Sequence, residues 1–173
     1  MEELLMVEYR ETLDRYLHIA GNRIGSKLSL DKNGLCILRK EDGQREYVVE
    51  LPKHSEVVYF YSPICRVPYG CSEEFFEKVL ELNLCGITYN QATFGLDVKT
   101  QNIVLSYTRP LEALDEVAFS NILCNFIKTA DRAEKDLVKL KGSLIEQTSL
   151  TEDDVNTEMS TYRTLANKGK LKV

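Results

Sequence analysis

Two histidines, His18 and His54, and five cysteines, Cys36, Cys65, Cys71, Cys85 and Cys124, are the side chains with which this chain could do nucleophilic or metal chemistry. A thiol nucleophile needs a base beside it. His54 with Cys65 or Cys71 is the pairing the spacing allows, because the residues between them read as one strand and a loop. His18 falls beside apolar positions of a helical pattern, where a packed or half-exposed histidine is the simpler reading. Asp97, Glu112 and Asp115 read as a turn acid and helix caps, not as a carboxylate pair. The sequence has no glycine-rich phosphate loop, no His-Glu-x-x-His and no Gly-x-Ser-x-Gly. Metal ligands do not cluster. The expectation is therefore a protein that is not an enzyme, with no catalytic residue, no metal and no cofactor.

Other features narrow the class. The cysteines form no Cys-x-x-Cys pair and sit mostly in apolar runs, which suits buried, reduced thiols in a reducing cytosol. A net charge of −5 disfavours nucleic acid as a main ligand, since neutralising phosphates requires clustered Lys and Arg. No run approaches the roughly 20 apolar residues that span a bilayer, so membrane insertion is not expected. Glu2, Glu3 and Glu8 replace the basic start of a secretory signal, and a cytoplasmic location is expected.

The elements that would position these residues follow from periodicity. Leu5, Tyr9, Leu13, Tyr16, Leu17 and Ala20 make an amphipathic first helix that Gly21 is expected to end. Four strands are expected next, over 28–30, 35–38, 47–51 and 57–61. Asp31-Lys32-Asn33-Gly34 and Glu41-Asp42-Gly43-Gln44 are the turns between the first three, Pro52 stops the third, and Pro63 and Pro68 bracket a connection to the central helix. A central helix begins at Ser72 as N-cap, carries Phe75, Phe76, Val79, Leu80 and Leu84 at helical spacing, and closes at Cys85-Gly86. The apolar runs 94–98 and 103–107 flank the polar turn Lys99-Thr100-Gln101-Asn102 as a hairpin. Asp115 then caps a long last helix, carried by Phe119, Ile122, Leu123, Phe126, Ile127, Ala130, Ala133, Leu137 and Leu140 and expected to stop at Gly142.

This order, α-β-β-β-β-α-β-β-α, predicts an α+β fold: a twisted antiparallel sheet with helices on one face. The predicted domain is 1–142. Residues 143–173 form a polar tail, expected to be mobile or to make a short helix over 151–165 from the loose capping box of Thr151 and Asp154. The second sheet face would carry Val, Leu and Tyr side chains with nothing in the chain to cover it, so a second copy or a partner chain is expected there. An edge strand at Leu28 and Leu30 would accept an extended partner segment by β-augmentation.

Taken together, these residues resemble the class I type III secretion chaperones of the Tir-chaperone type. The likeness runs from about Leu13 to Leu140. It includes Leu28-Ser29-Leu30-Asp31, Leu35-Cys36-Ile37-Leu38 and Val58-Tyr59-Phe60-Tyr61 to Arg66-Val67-Pro68. It is strongest in Val79-Leu80-Glu81-Leu82-Asn83-Leu84, Thr93-Phe94-Gly95-Leu96-Asp97 and Ile103-Val104-Leu105-Ser106-Tyr107, and Pro110-Leu111-Glu112-Ala113-Leu114-Asp115 leads into the last helix.

The resemblance implies a cytoplasmic bacterial homodimer without enzymatic activity. It would hold the N-terminal region of an effector non-globular and deliver it to the export apparatus, with the secretion ATPase or sorting platform as a candidate receiver. It implies a dimer contact through Phe75, Phe76, Val79, Leu80, Asn83 and Leu84. It implies cargo contacts at Leu13, Leu17, Leu28, Leu30, Leu35, Ile37 and Val49, although Leu13, Leu17, Ile37 and Val49 also read as core. The same fold could serve as an intracellular adaptor or regulator without secreted cargo.

Overall fold

The apolar–polar alternation of the sequence becomes five strands: β1 (Leu35–Arg39), β2 (Glu46–Glu50), β3 (Val57–Arg66), β4 (Thr93–Asp97) and β5 (Asn102–Pro110). The computed structural model describes residues 2–40, 43, 45–67 and 73–168, with side chains over 7–144 apart from 85. The strands form one antiparallel sheet in the order β1-β2-β3-β5-β4, with β1 and β4 at the edges. Among the described residues three α-helices accompany it: α1 (Glu2–Ile24), α2 (Glu73–Glu81) and α3 (Glu116–Lys168). By contact, the chain divides into two units, Met1–Leu137 and Val138–Val173, and the second is helical as far as Lys168. The α+β fold class is as expected.

The core lies between one sheet face and helices α1 and α3. Phe60, at the centre of β3, is fully buried and stands 5.7 Å from Phe119 and 6.1 Å from Phe126 of α3, ring centre to ring centre. Tyr16 of α1 joins it through Phe119 at 5.9 Å. Buried Leu13, Leu17, Val49, Val58, Leu105, Leu123 and Ala130 fill the space around these rings. Offset aromatic contacts of this kind add to the burial of their area. Buried Arg45 fixes the start of β2 to α3, donating to the Ala130 carbonyl at 3.1 Å and pairing with Glu134.

Four expectations are corrected. Residues 28–30 form no strand. Leu28 is buried against Gly21, and the Leu30 N–H donates to Asp14 Oδ1 at 2.7 Å, so this segment is strapped to α1. Nor does Gly21 end α1. The helix continues to Ile24 and closes at Gly25, whose φ of 71° is the left-handed turn, with the Ser26 N–H bonded to the Gly21 carbonyl at 2.9 Å. The α-helical turns of α2 stop at Glu81, with a 3₁₀ turn over Leu84–Gly86 following, because the Asn83 side chain is drawn to β4. Gly142 does not stop α3, which runs on to Lys168. A single glycine costs about 1 kcal/mol in a helix, and no proline follows to break it. The N-cap assigned to Ser72 lies outside the described residues.

Strand β3 runs through Pro63 to Arg66, into the stretch expected to be a connection to the central helix. The β2–β3 register puts the missing Pro63 donor opposite the Glu46 carbonyl. The neighbouring Ser62 hydroxyl donates to that carbonyl at 2.7 Å and supplies the absent bond. This is why a proline survives inside the sheet.

Gly34 joins the turn to the sheet at φ 85°, and a Cβ there would lie 2.4 Å from the Leu51 carbonyl oxygen. Gly34→Ala is therefore expected to cost at least about 2 kcal/mol, from strain and clash together. A urea midpoint equal to that of the native chain would contradict this.

Candidate functional site

The sheet face away from α1 and α3 carries Leu35 and Ile37 of β1, Val48 of β2, Tyr59 and Tyr61 of β3 and Val104 of β5. Cross-strand pairing aligns Ile37, Val48 and Tyr61 in one row. Ile37 is 47% exposed and Tyr59 38% exposed, while Val48 is screened by its neighbours. The Tyr61 hydroxyl donates to Glu50 Oε2 at 2.9 Å. Burial first, then that bond, push its pKa above the ordinary phenol range, so it remains a protonated donor. The row is flanked by Glu50 of β2 and by Ser106 and Thr108 of β5, so the face mixes apolar and polar residues, as protein-binding surfaces do.

A second apolar surface lies on α2 and the turn after it. Leu80 is 65% exposed, Leu84 75% and Ile87 81%. These large side chains give up the stabilisation that burial would bring, and exposed apolar groups of this size are candidates for contact with another chain. Beneath them Phe75 and Val79 are buried, and Phe76 meets Phe75 edge to face at 5.7 Å.

Both sheet edges are plugged at one point. At β4 the Asn83 amide donates to the Phe94 carbonyl at 3.0 Å, and its oxygen accepts the Phe94 N–H at 2.7 Å, as a paired strand residue would. At β1 the Asp31 N–H donates to the Leu35 carbonyl at 2.7 Å, and Asp31 Oδ1 accepts the Leu35 N–H at 2.9 Å. The Leu35 N–H, foremost among its contacts, holds the Asp31 carboxyl below the usual range, so it stays ionised as an acceptor.

The residues predicted to touch cargo divide between two environments. Leu35 and Ile37 are on the open face, with Leu35 half-buried. Leu13, Leu17, Leu28 and Val49 are buried in the core, and Leu30 is half-buried in the strap beside α1. Among the residues predicted for dimer contact, Leu80 and Leu84 are exposed, Phe76 is half-buried, Phe75 and Val79 face inward, and Asn83 serves the β4 edge. Ile87, Tyr59 and Val48 were not singled out as site residues. The alternation of Val57, Tyr59 and Tyr61 was the signal for the second.

The nucleophile pairing is not assembled. His54 stands in the loop before β3, with φ 64°, and Cys65 is near the far end of that strand. The length of strand between separates them by about 25 Å. Cys71 lies outside the described residues. Burial raises the Cys36 thiol pKa and keeps it unreactive. Among the described residues no group of three or more His, Cys, Asp or Glu could hold a metal ion. Two clefts lined by residues 88–92 and α3, the first also by Tyr107, of about 100 and about 190 Å³, fall below the ~300 Å³ of an ordinary small-molecule site. No helix of the described residues is long and apolar enough to cross a membrane.

An α+β domain with an open apolar sheet face, interrupted edges and an exposed leucine row is a scaffold for binding other polypeptides. The chain belongs to the Tir chaperone protein (CesT) family, whose pattern matches residues 15–134. It is similar in structure to a chain of the ExsC–ExsE complex, with TM-score 0.62 and 22% identity, covering 74% of this chain and 95% of that one. It is also similar to a chain of the HopA1–SchA chaperone–effector complex, with TM-score 0.58 and 12% identity, covering 72% and 94%. A third likeness is to the heterodimeric ExoU–SpcU complex from the type III secretion system of Pseudomonas aeruginosa, with TM-score 0.55 and 19% identity, covering 73% and 95%. No curated protein sequence matches the chain.

Asn83→Ala would leave the Phe94 N–H and carbonyl without their side-chain partner. A loss of about 1–3 kcal/mol is expected, with faster amide exchange at Phe94. Unchanged exchange at that amide would show that the plug is not formed in solution.

Proposed function

We propose that this protein is a type III secretion chaperone that binds the N-terminal region of an effector and keeps it extended and export-competent. The observation that carries the reading is the uncovered sheet face, with its apolar row Ile37, Val48 and Tyr61 beside a strand edge. Membership of the Tir chaperone family supports it. So do the named relatives, two of which are described as a chaperone–effector complex and as part of a type III secretion system. An unfolded segment loses entropy on binding, so it needs a long contact; an open face and an edge together provide one. The client would extend the sheet at β1, and Leu35 and Ile37 would be its contacts. The buried Leu13, Leu17, Leu28 and Val49 would hold up the surface from beneath.

We also propose a homodimer in the bacterial cytoplasm. Leu80, Leu84 and Ile87 would meet their counterparts, and Phe76 would lie at the margin. This reading has no catalytic step, and no cofactor enters it. Delivery to the secretion ATPase or sorting platform would follow from the function and concerns surfaces other than these.

Two substitutions separate the two surfaces. Leu80→Glu is expected to yield monomer or aggregate by light scattering, and an intact dimer would refute the assignment of α2. Ile37→Asp is expected to weaken capture of the effector N-terminal fragment at least ~30-fold, on the scale of an interface hot spot, with the dimer retained. The fragment is to be identified by co-purification from the source bacterium and mass spectrometry. Undiminished capture would place the client elsewhere.

A further inference from the structure

The β1–β2 ladder bonds Gly34 to Leu51 and Lys40 to Arg45, so by alternation Cys36 and Leu38 also turn their backbone groups toward β2. Leu35, Ile37 and Arg39 turn theirs to the outside. At Leu35 both outward groups are taken by Asp31. At Ile37 and Arg39 the outward N–H and carbonyl have no protein partner among the described residues. Asp31 is itself held: Asn33 N–H donates to its Oδ1 at 2.8 Å, Arg10 donates to its carbonyl, and Asp14 ties down the adjacent Leu30. The plug is therefore anchored to α1 and does not depend on a free loop.

We infer that Asp31 is a register-setting residue: it stops an added strand at Leu35 and limits pairing at the β1 edge to Ile37 and Arg39. The inference rests on the proposed binding of an extended client and adds where that client must begin. Its occupant is an extended segment with a residue opposite Ile37 that prolongs the row Ile37–Val48–Tyr61, so an apolar residue is required at that place. Because side chains alternate, a shift by one residue would turn that apolar residue to the other face. A fixed stop at Leu35 removes the neighbouring registers. Asn83 does the same at Phe94 on the opposite edge and leaves Leu96 as the next open position, so the two edges share one device.

The test is amide exchange by NMR on the full chain. The probe is a synthetic peptide of about eight residues, alternating valine and threonine with lysine at both ends, at millimolar concentration. In the free native protein the Leu35 amide is expected to exchange about tenfold more slowly than those of Ile37 and Arg39. The peptide should slow Ile37 and Arg39 and leave Leu35 unchanged. Asp31→Ala should release the Leu35 amide, which should then exchange about as fast as those of Ile37 and Arg39 in the free protein, while the backbone N–H of residue 31 keeps the Leu35 carbonyl. Asp31→Asn keeps an acceptor oxygen and should restore the native pattern. The inference is overturned if the peptide protects Leu35 in the native protein, if Asp31→Ala leaves that amide unchanged, or if Ile37 and Arg39 gain no protection. None of these outcomes bears on whether an effector fragment co-purifies. A chain that shows the expected pattern and captures no effector would refute the chaperone reading and keep this one.

Discussion

A twisted sheet has two faces, and the helices of this chain that carry aromatic anchors pack on one of them. Phe60 sets that arrangement. Its ring meets Tyr107 beside it in the sheet and both Phe119 and Phe126 above it, so α3 is seated on the inner face of β3. Tyr16 and the buried leucines of α1 complete the layer. With the inner face closed, the side chains that alternate with Phe60, namely Tyr59 and Tyr61, must point the other way. The open face is thus a direct product of how the core is packed.

The edges follow from the same geometry. Edge strands offer unpaired backbone groups, and proteins ordinarily blunt them to avoid uncontrolled pairing. This chain blunts each edge at one residue, using a carboxylate at β1 and a carboxamide at β4. A carboxamide both donates and accepts, so Asn83 alone satisfies Phe94. A carboxylate only accepts, so Asp31 adds its own backbone N–H to complete the pair at Leu35. In both cases the next outward position stays open. An edge treated this way is protected from indiscriminate pairing and can still receive a chosen strand.

Much of this was legible in the residues. The hairpin over β4 and β5, the strands β1 to β3, the two amphipathic helices and the uncovered face all follow from periodicity. The errors share a cause. Leu28 and Leu30 alternate with polar residues as a strand would, yet an extended strap with one buried leucine shows the same pattern; only the destination of the Leu30 N–H distinguishes them. Gly21 and Gly25 both suit a helix end, and the choice went to the one whose left-handed φ is realised. Among the site residues, Leu80 and Leu84 could be read because helical spacing continues past the buried Val79. Ile87 was hidden behind a glycine taken as the end of the element. The Asn83 and Asp31 pairings could not be read at all, since each depends on a strand that is distant or turned back in space.

Pro63 has a consequence for how β2 and β3 find each other. In the observed alignment its ring nitrogen faces the Glu46 carbonyl, at the very start of β2, and Ser62 fills in. Sliding β3 by one pleat repeat would carry the proline and its serine together to Val48, and the nitrogen that cannot donate would move from the rim of the ladder into its interior. Kept at the rim, the proline leaves Val48–Tyr61 and Glu50–Tyr59 to hold the two strands with their own backbone bonds.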